Sequence, residues 1–265
     1  MNLIDYHTHT ELCGHASGTT DDYVQEAIKK NLLEIGFSDH APLPEGLREG
    51  ITMLPEETEH YITLIEEKKK KYQDKIKVKI GFEIDFPLTE TFENKFLHDQ
   101  RLDYLIGSCH FLGDWAFDHP DHKDEFNNRN INDVYNQYYE IIGDMIETGY
   151  FNIVGHFDLV KKFGHRAEFD FTKKLENLAY SIAKKKNIAV EINTAGLRKP
   201  VKEIYPSIDI IEIFYRMNTP VTLGSDAHKP EEVGYLFANA IEIIKKVGYR
   251  KISGFAKRQR YDIVF

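Results

Sequence analysis

The stretch Asp5-Tyr6-His7-Thr8-His9-Thr10-Glu11-Leu12-Cys13-Gly14-His15 sets three imidazoles directly after the first apolar run of the chain, Leu3 to Tyr6. Side chains alternate across a strand, so His7 and His9 at a strand end share one face, where two ring nitrogens can reach one ion. An H-x-H pair alone describes one core and one surface histidine equally well, so the other strand ends must decide.

Outward from this stretch the pattern alternates. Asp21 to Leu33 carries Tyr23, Val24, Ala27, Ile28 and Leu32 at helical spacing behind the capping run Thr19-Thr20-Asp21-Asp22. Glu34 to Ser38 reads as a strand that stops at Asp39-His40, and the Pro- and Gly-rich Ala41 to Gly50 as loop. A helix from about Pro55 to Tyr72 ends in Lys68 to Lys71, cations that complement a helix C-terminus and face solvent. Lys77 to Phe86 (KVKIGFEIDF) reads as the third strand, with Glu83 near its end; a short helix is expected before the strand Asp103 to Ser108, which runs into Cys109-His110. Phe111 to Asn130 reads as a long loop or lid.

Beyond it, helix Val134 to Thr148, strand Phe151 to Gly155 ending at His156, helix Phe171 to Lys185 and strand Ile188 to Asn193 follow in turn. A polar loop, Thr194 to Pro206, precedes helix Ser207 to Met217 and strand Val221 to Gly224, which runs into Ser225-Asp226-Ala227-His228. Helix Pro230 to Val247 and a tail, Gly248 to Phe265, covering one end of the domain complete the chain.

Seven strand-and-helix units favour a parallel sheet wrapped by helices, and in a closed barrel of that kind the chemistry gathers at the carboxyl ends of the strands. Those ends carry His7 and His9, His40, Glu83, His110, His156, and Asp226 with His228. Any one strand-end histidine is ordinarily a buried, hydrogen-bonded residue; donors at six of seven ends form the pattern of a metal centre. No linker or low-complexity tract divides residues 1–265, which read as a single domain.

A chain of 265 residues, 42% hydrophobic and 29% charged, is soluble and globular in type. A net charge of −9 argues against nucleic acid or an anionic membrane as partner, while leaving room for a local basic pocket and a small anion. Two cysteines, Cys13 and Cys109, cannot staple a fold of this size and fit a reducing cytoplasm; Cys109 reads as a core residue, and Cys13, among histidines, as core or as an added metal ligand. Neither a signal peptide nor a run of about 18 apolar residues is present, so no membrane span is expected. Oligomeric state is not legible.

DYHTHT (5–10), GFSDHAP (36–42), GFEIDF (81–86), GSCHF (107–111), GHFD (155–158), EINTAGLRKP (191–200) and GSDAH (224–228) together resemble the PHP (polymerase and histidinol phosphatase) superfamily of metal-dependent phosphoesterases, over the whole chain and in the family's order. CGHASG, GFSDHAP and EINTAGLRKP look most like its histidinol-phosphate phosphatase branch. The resemblance implies an α/β fold, a distorted (β/α)7 TIM-like barrel, with three divalent metal ions at the strand ends. By that resemblance His7, His9, Glu83 and Asp226 hold the first ion, and Glu83 bridges to a second held by His110 and His156. His15, His40 and His228 hold the third.

Imidazole and carboxylate ligands suit Zn, Mn or Fe better than Mg. Glu83 and Asp226 would hold and orient a metal-bound hydroxide for in-line attack on phosphorus, as the slowness of phosphate monoester hydrolysis, calling for accelerations up to ~10²¹, demands. Arg166 and Arg198, in loops after strand ends, offer planar forks for phosphate oxygens, and Ser225 a hydroxyl. The implied reaction converts L-histidinol phosphate, a small phosphate monoester, to L-histidinol and phosphate in histidine biosynthesis. Its imidazole and amine call for an aromatic wall and a carboxylate, with Phe111, Phe117 and Asp118 as candidates, although Trp115 and Phe117 serve equally as lid packing. The competing readings are a phosphoesterase of the same family acting on another small phosphate ester or a nucleotide, and a metal-binding regulator without turnover.

Overall fold

The computed structural model describes residues 2–87 and 98–265. Strand β1 (Ile4–Asp5) pairs in parallel with β2 (Glu34–Phe37), and β2 with β3 (Lys77–Ile80). A second parallel sheet runs β10 (Val221–Gly224), β9 (Ala189–Asn193), β8 (Ile153–Val154), β5 (Ile106–Ser108), β4 (Glu83–Asp85). The two meet at one seam where Tyr6 N donates to Leu223 O at 3.1 Å and His9 N to Ala227 O at 2.9 Å. At the other seam the run predicted as one strand, Lys77 to Phe86, divides into β3 and β4 and changes partner from β2 to β5. The outcome is an α/β fold in which two parallel sheets, joined by backbone hydrogen bonds at both seams, close on each other as a distorted barrel of seven strand positions.

Tyr104 packs among the strands. It is buried inside the barrel, its ring stacks on Tyr6 at 4.9 Å between centroids, and its hydroxyl donates to Tyr6 O at 2.7 Å. A β-carbon at Gly81 would stand 2.5 Å from this ring, and one at Gly36 2.3 Å from its hydroxyl, so glycine at both positions lets the tyrosine fill the barrel.

Helices α1 (Thr20–Lys29), α2 (Thr58–Lys71), α3 (Ile131–Thr148), α4 (Thr172–Lys184), α5 (Ile208–Arg216) and α6 (Phe237–Val247) lie outside the strands. Thr19 and Asp22 form a reciprocal capping box at α1, as the run of capping residues predicts. Lys68 and Lys71 do more than face solvent: they pair with Asp21 at 2.9 and 2.8 Å and tie α2 to α1.

Two expectations change and a third, the covering tail, is sharpened. Phe111 to Asn130 is no structureless loop but a hairpin, β6 (Phe111–Leu112) with β7 (Trp115–Ala116), followed by 3-10 turns over Pro120–Asn128. Its aromatics supply the reason, because Trp115 packs edge-on against Phe117 and Phe126. The last helix starts at Phe237 rather than Pro230, since Gly234 and Leu236 take positive φ values of 60° and 50° that no helix continues. The tail is a hairpin, β11 (Lys251–Ala256) with β12 (Gln259–Val264), and covers the amino ends of the strands through Phe255 N to the Tyr6 hydroxyl at 3.2 Å and Arg258 N to Asp103 O at 2.9 Å. The short helix expected between Phe86 and Asp103 falls on residues 88–97, outside the described ones. Among the described residues no helix is long and apolar enough to cross a membrane.

Tyr104→Ala removes a ring that nothing nearby can replace and is expected to cost about 3–5 kcal/mol, whereas Tyr104→Phe, which strands the Tyr6 carbonyl, costs about 1–2 kcal/mol. Urea denaturation of the two variants tests this, with equal losses for both contradicting it.

Candidate metal centre

Glu83 opens β4 and lies 1% exposed at the barrel mouth. Its backbone is fixed by two hydrogen bonds to the end of β2: Glu83 N donates to Asp39 O at 3.0 Å, and Ala41 N to Glu83 O at 2.8 Å. The two carboxylate oxygens face different neighbours. Oε1 accepts from Ser108 Oγ at 2.6 Å and faces His156 Nε2 at 2.9 Å and His110 Nε2 at 3.6 Å. Oε2 faces His7 Nε2 at 3.1 Å, His40 Nδ1 at 3.2 Å and His9 Nε2 at 3.5 Å.

Asp226, held at a positive φ of 52° just past β10, turns Oδ1 toward His9 Nε2 at 3.4 Å, His228 Nδ1 at 3.5 Å and His7 Nε2 at 3.9 Å. His15 comes in from the loop after β1, its ring 4.6 Å from that of His228 and 5.6 Å from that of His40. Donor atoms of His15, His40 and His228 lie within 4.8 Å of one another, as do those of His7, His9 and Asp226 and those of His7, Glu83 and His156. The structure thus brings all nine sequence-predicted ligand positions to one place.

Burial alone would raise the Glu83 carboxyl, but the imidazoles ringing it, His7 foremost, override that and hold it well below the ordinary carboxylate range. Asp226 is likewise held low against its burial, by His7 and His9. His9 answers these carboxylates: burial opposes its charge, and Asp226 and Asp39 push it up to about 9. Burial keeps His40 and His228 well below the usual imidazole range, so both offer lone pairs.

Several buried ring nitrogens, His7 Nε2, both nitrogens of His9, His40 Nδ1 and His228 Nε2, have no hydrogen-bond partner. An unpartnered buried polar atom is costly, and so many beside two carboxylates fit the donor set of metal ions.

Sequence reasoning missed the groups behind the ligands. His110 Nδ1 lies 2.6 Å from Asp85, His7 Nδ1 2.7 Å from Glu191, and His9 Nδ1 3.5 Å from Asp39. Such carboxylates fix the orientation of a ligating imidazole. The available signal was an acidic residue inside an apolar strand run or beside a ligand: Asp85 in EID, Glu191 in VEIN, Asp39 in SDH.

A cavity of about 450 Å³ opens over the cluster, walled among others by His110, Phe111, Asp118, Lys162, Arg198 and Tyr205. Arg198 is among the residues that line it. Its Nη2 donates to the carbonyls of Ser225 and Asp226, each at 2.9 Å, while Nη1 is buried and unpartnered.

Two expected substrate contacts are placed apart from the described lining of the cavity. Ser225 is fully buried and its hydroxyl donates to Asp5 Oδ2 at 2.5 Å, away from the cavity. Arg166 is half exposed, bonds Glu203 Oε1 at 2.6 Å, and is not among the described residues lining the cavity; Glu203, which also pairs with Lys161, captures it. Lys162 supplies the cation on that side, paired with Asp118 at 2.9 Å. Phe111 lines the cavity, but Phe117 is buried against Trp115 and Tyr138 as packing. Cys109 is core; Cys13 is buried, with donor distances to His9 and His228 that fit an ion, but burial pushes its thiol up to about 12.

An α/β barrel that gathers imidazoles and carboxylates from its strand ends onto one cavity belongs to the class of barrel proteins with a candidate metal centre at the strand ends. The chain is a member of the PHP domain family, whose model matches residues 5–195. It is 39% identical to the probable histidinol-phosphatase of Deinococcus radiodurans over 95% of this chain and 96% of that one. It is 30% identical to the histidinol-phosphatase of Bacillus subtilis over 91% of this chain and 99% of that one. The fold superposes with a TM-score of 0.80 on histidinol phosphate phosphatase from Lactococcus lactis, complexed with Zn, L-histidinol and phosphate, at 24% identity over 98% of this chain and 99% of that chain.

Metal removal gives a direct check of the unpartnered imidazoles. An ion present at about 100 times its dissociation constant adds about 2.7 kcal/mol of stability, so stripping with a chelator is expected to lower the melting temperature and re-addition of Zn or Mn to restore it. A melting temperature indifferent to metal would contradict the ligand reading.

Proposed function

We propose that the chain hydrolyses L-histidinol phosphate to L-histidinol and inorganic phosphate, as a step of histidine biosynthesis in the cytoplasm, using three divalent ions drawn from Zn, Mn and Fe. The observation that carries this is the cluster itself: Glu83 and Asp226 ringed by imidazoles with unpartnered nitrogens, beneath a cavity that Arg198 helps to line. The substrate class is supported by the relatives' names at 39% and 30% identity over nearly the whole chain.

In this reading His7, His9, Glu83 and Asp226 hold one ion; Glu83, His110 and His156 a second; and His15, His40 and His228 the third. The opposed neighbours of the two Glu83 oxygens support its bridging role. When bound, the ions supply Lewis acidity toward phosphate oxygens and acidify the attacking water.

The remaining work falls to the chain's own side chains. Arg198 is locked by two carbonyls and by Glu232 at 3.4 Å, so its guanidinium is held in the cavity lining as a phosphate-binding group at little entropic cost. Lys162 adds positive charge across the cavity, which a dianion entering a chain of net charge −9 requires. Phe111 offers an apolar wall for the substrate imidazole, and Asp118 a carboxylate for its amine.

The test is phosphate release by the metal-loaded chain from L-histidinol phosphate and from a panel of nucleotides and generic monoesters. The expected kcat/KM for histidinol phosphate exceeds that for generic esters by about 10²-fold or more, and parity across the panel would remove the assignment. His9→Ala is expected to lose at least about 10²-fold in turnover, which separates an enzyme from a regulator with no turnover to lose. Arg198→Ala is expected to lower kcat/KM by about 10–100-fold with metal content intact, and Arg198→Lys to recover little of it. Loss of metal in Arg198→Ala would mean its role is structural.

A further inference from the structure

Of the seven strand positions, only β9 ends without a proposed metal ligand, yet its Glu191 lies 1% exposed directly beneath the cluster. We infer that Glu191 is a positioning residue that sets two metal ligands at once, His7 through its ring and His156 through its backbone. The inference rests on the metal centre proposed above and extends it to the side chain that holds that centre in register.

The geometry is specific. Oε1 accepts from His7 Nδ1 at 2.7 Å, which commits the His7 proton to that nitrogen and leaves the Nε2 lone pair facing Glu83 and Asp226. Oε2 accepts from the His156 backbone N–H at 2.8 Å and from Asn193 Nδ2 at 2.9 Å. His156 needs such a hold, because its φ of 21° is one that side-chain-bearing residues seldom adopt. From that backbone its Nε2 reaches Glu83 Oε1 at 2.9 Å.

A third strand has made room for the carboxylate. A β-carbon at Gly224, the last residue of β10, would stand 1.8 Å from Glu191 Oε1 and 2.7 Å from His7 Cβ. Among the described residues no lysine or arginine pairs with Glu191, so its buried charge is answered by His7, the His156 amide and Asn193 alone. A carboxylate serves this post and an amide does not, because glutamine would turn an N–H toward either His7 Nδ1–H or the His156 N–H, both of them donors.

The experiment is a titration of chelator-stripped protein with Zn or Mn against a competing chelator, comparing wild type with Glu191→Gln. The expected result is a variant that keeps its circular dichroism and binds the ions ligated by His7 and His156 about 10–100-fold more weakly, with the site of His15, His40 and His228 unaffected. Activity is expected to recover at saturating metal, a recovery that a merely structural defect would not show. Wild-type affinity in Glu191→Gln would overturn the inference. Should that variant fail to fold, Asn193→Ala removes the side-chain donor to Oε2, together with the acceptor of the Ala195 N–H, and is expected to weaken the same ions by about 3–10-fold; unchanged affinity there would overturn it equally.

Metal titration involves no substrate. A wild-type chain with no preference for histidinol phosphate but a weakened Glu191→Gln would sink the substrate reading and leave this one standing. A wild type that binds no metal would sink both.

Discussion

A carboxylate taken out of water must be repaid by opposite charge or hydrogen bonds, and Glu83, 1% exposed with five imidazoles facing its two oxygens, sets that condition at the centre of the barrel mouth. The division of β3 from β4 places it there, and the strand ends around it present nitrogens rather than apolar side chains. A fold selected for stability alone would replace this cluster with packed hydrocarbon. Its retention marks the place where local rules give way to chemistry.

The two ends of the barrel divide the labour. The amino end is closed by tyrosines and the terminal hairpin: Tyr104 fills the interior, Tyr6 stacks on it, and Phe255 N donates to the Tyr6 hydroxyl. One residue beyond Tyr6 the chain changes character, and His7 faces the cluster. The rigidity of the packed end is therefore passed directly to the ligands, and Asp5 extends it across the seam by accepting from Ser225 N at 2.9 Å and Gly234 N at 2.8 Å. Functional groups placed within a few residues of a packed strand in this way keep their geometry better than groups on long loops.

The strand-end donors were legible because their signal is local: an apolar run of a few residues stopping at His or Asp. The alternation of strands and helices was legible for the same reason. What escaped depended on distant partners. Ser225 looked available until Asp5, 220 residues earlier in the chain, took its hydroxyl, and Arg166 until Glu203, 37 residues later, took its guanidinium. Asp85 and Glu191 stand out in sequence only as acidic residues in apolar strand runs, because the imidazole each supports lies 25 and 184 residues away in the chain. The segment Phe111 to Asn130 read as loop because its order comes from aromatic packing against other parts of the chain, among them Phe126 stacked on His165 at 4.5 Å, rather than from strand or helix periodicity.

The central claim is that the two oxygens of Glu83 bridge separate ions. Anomalous diffraction from crystals grown with Mn and phosphate addresses it most directly. The account predicts one anomalous peak against Oε2 among His7, His9 and Asp226, and another against Oε1 between His110 and His156. Peaks that avoid Glu83, or a mouth that stays free of metal at saturating Mn, would contradict it.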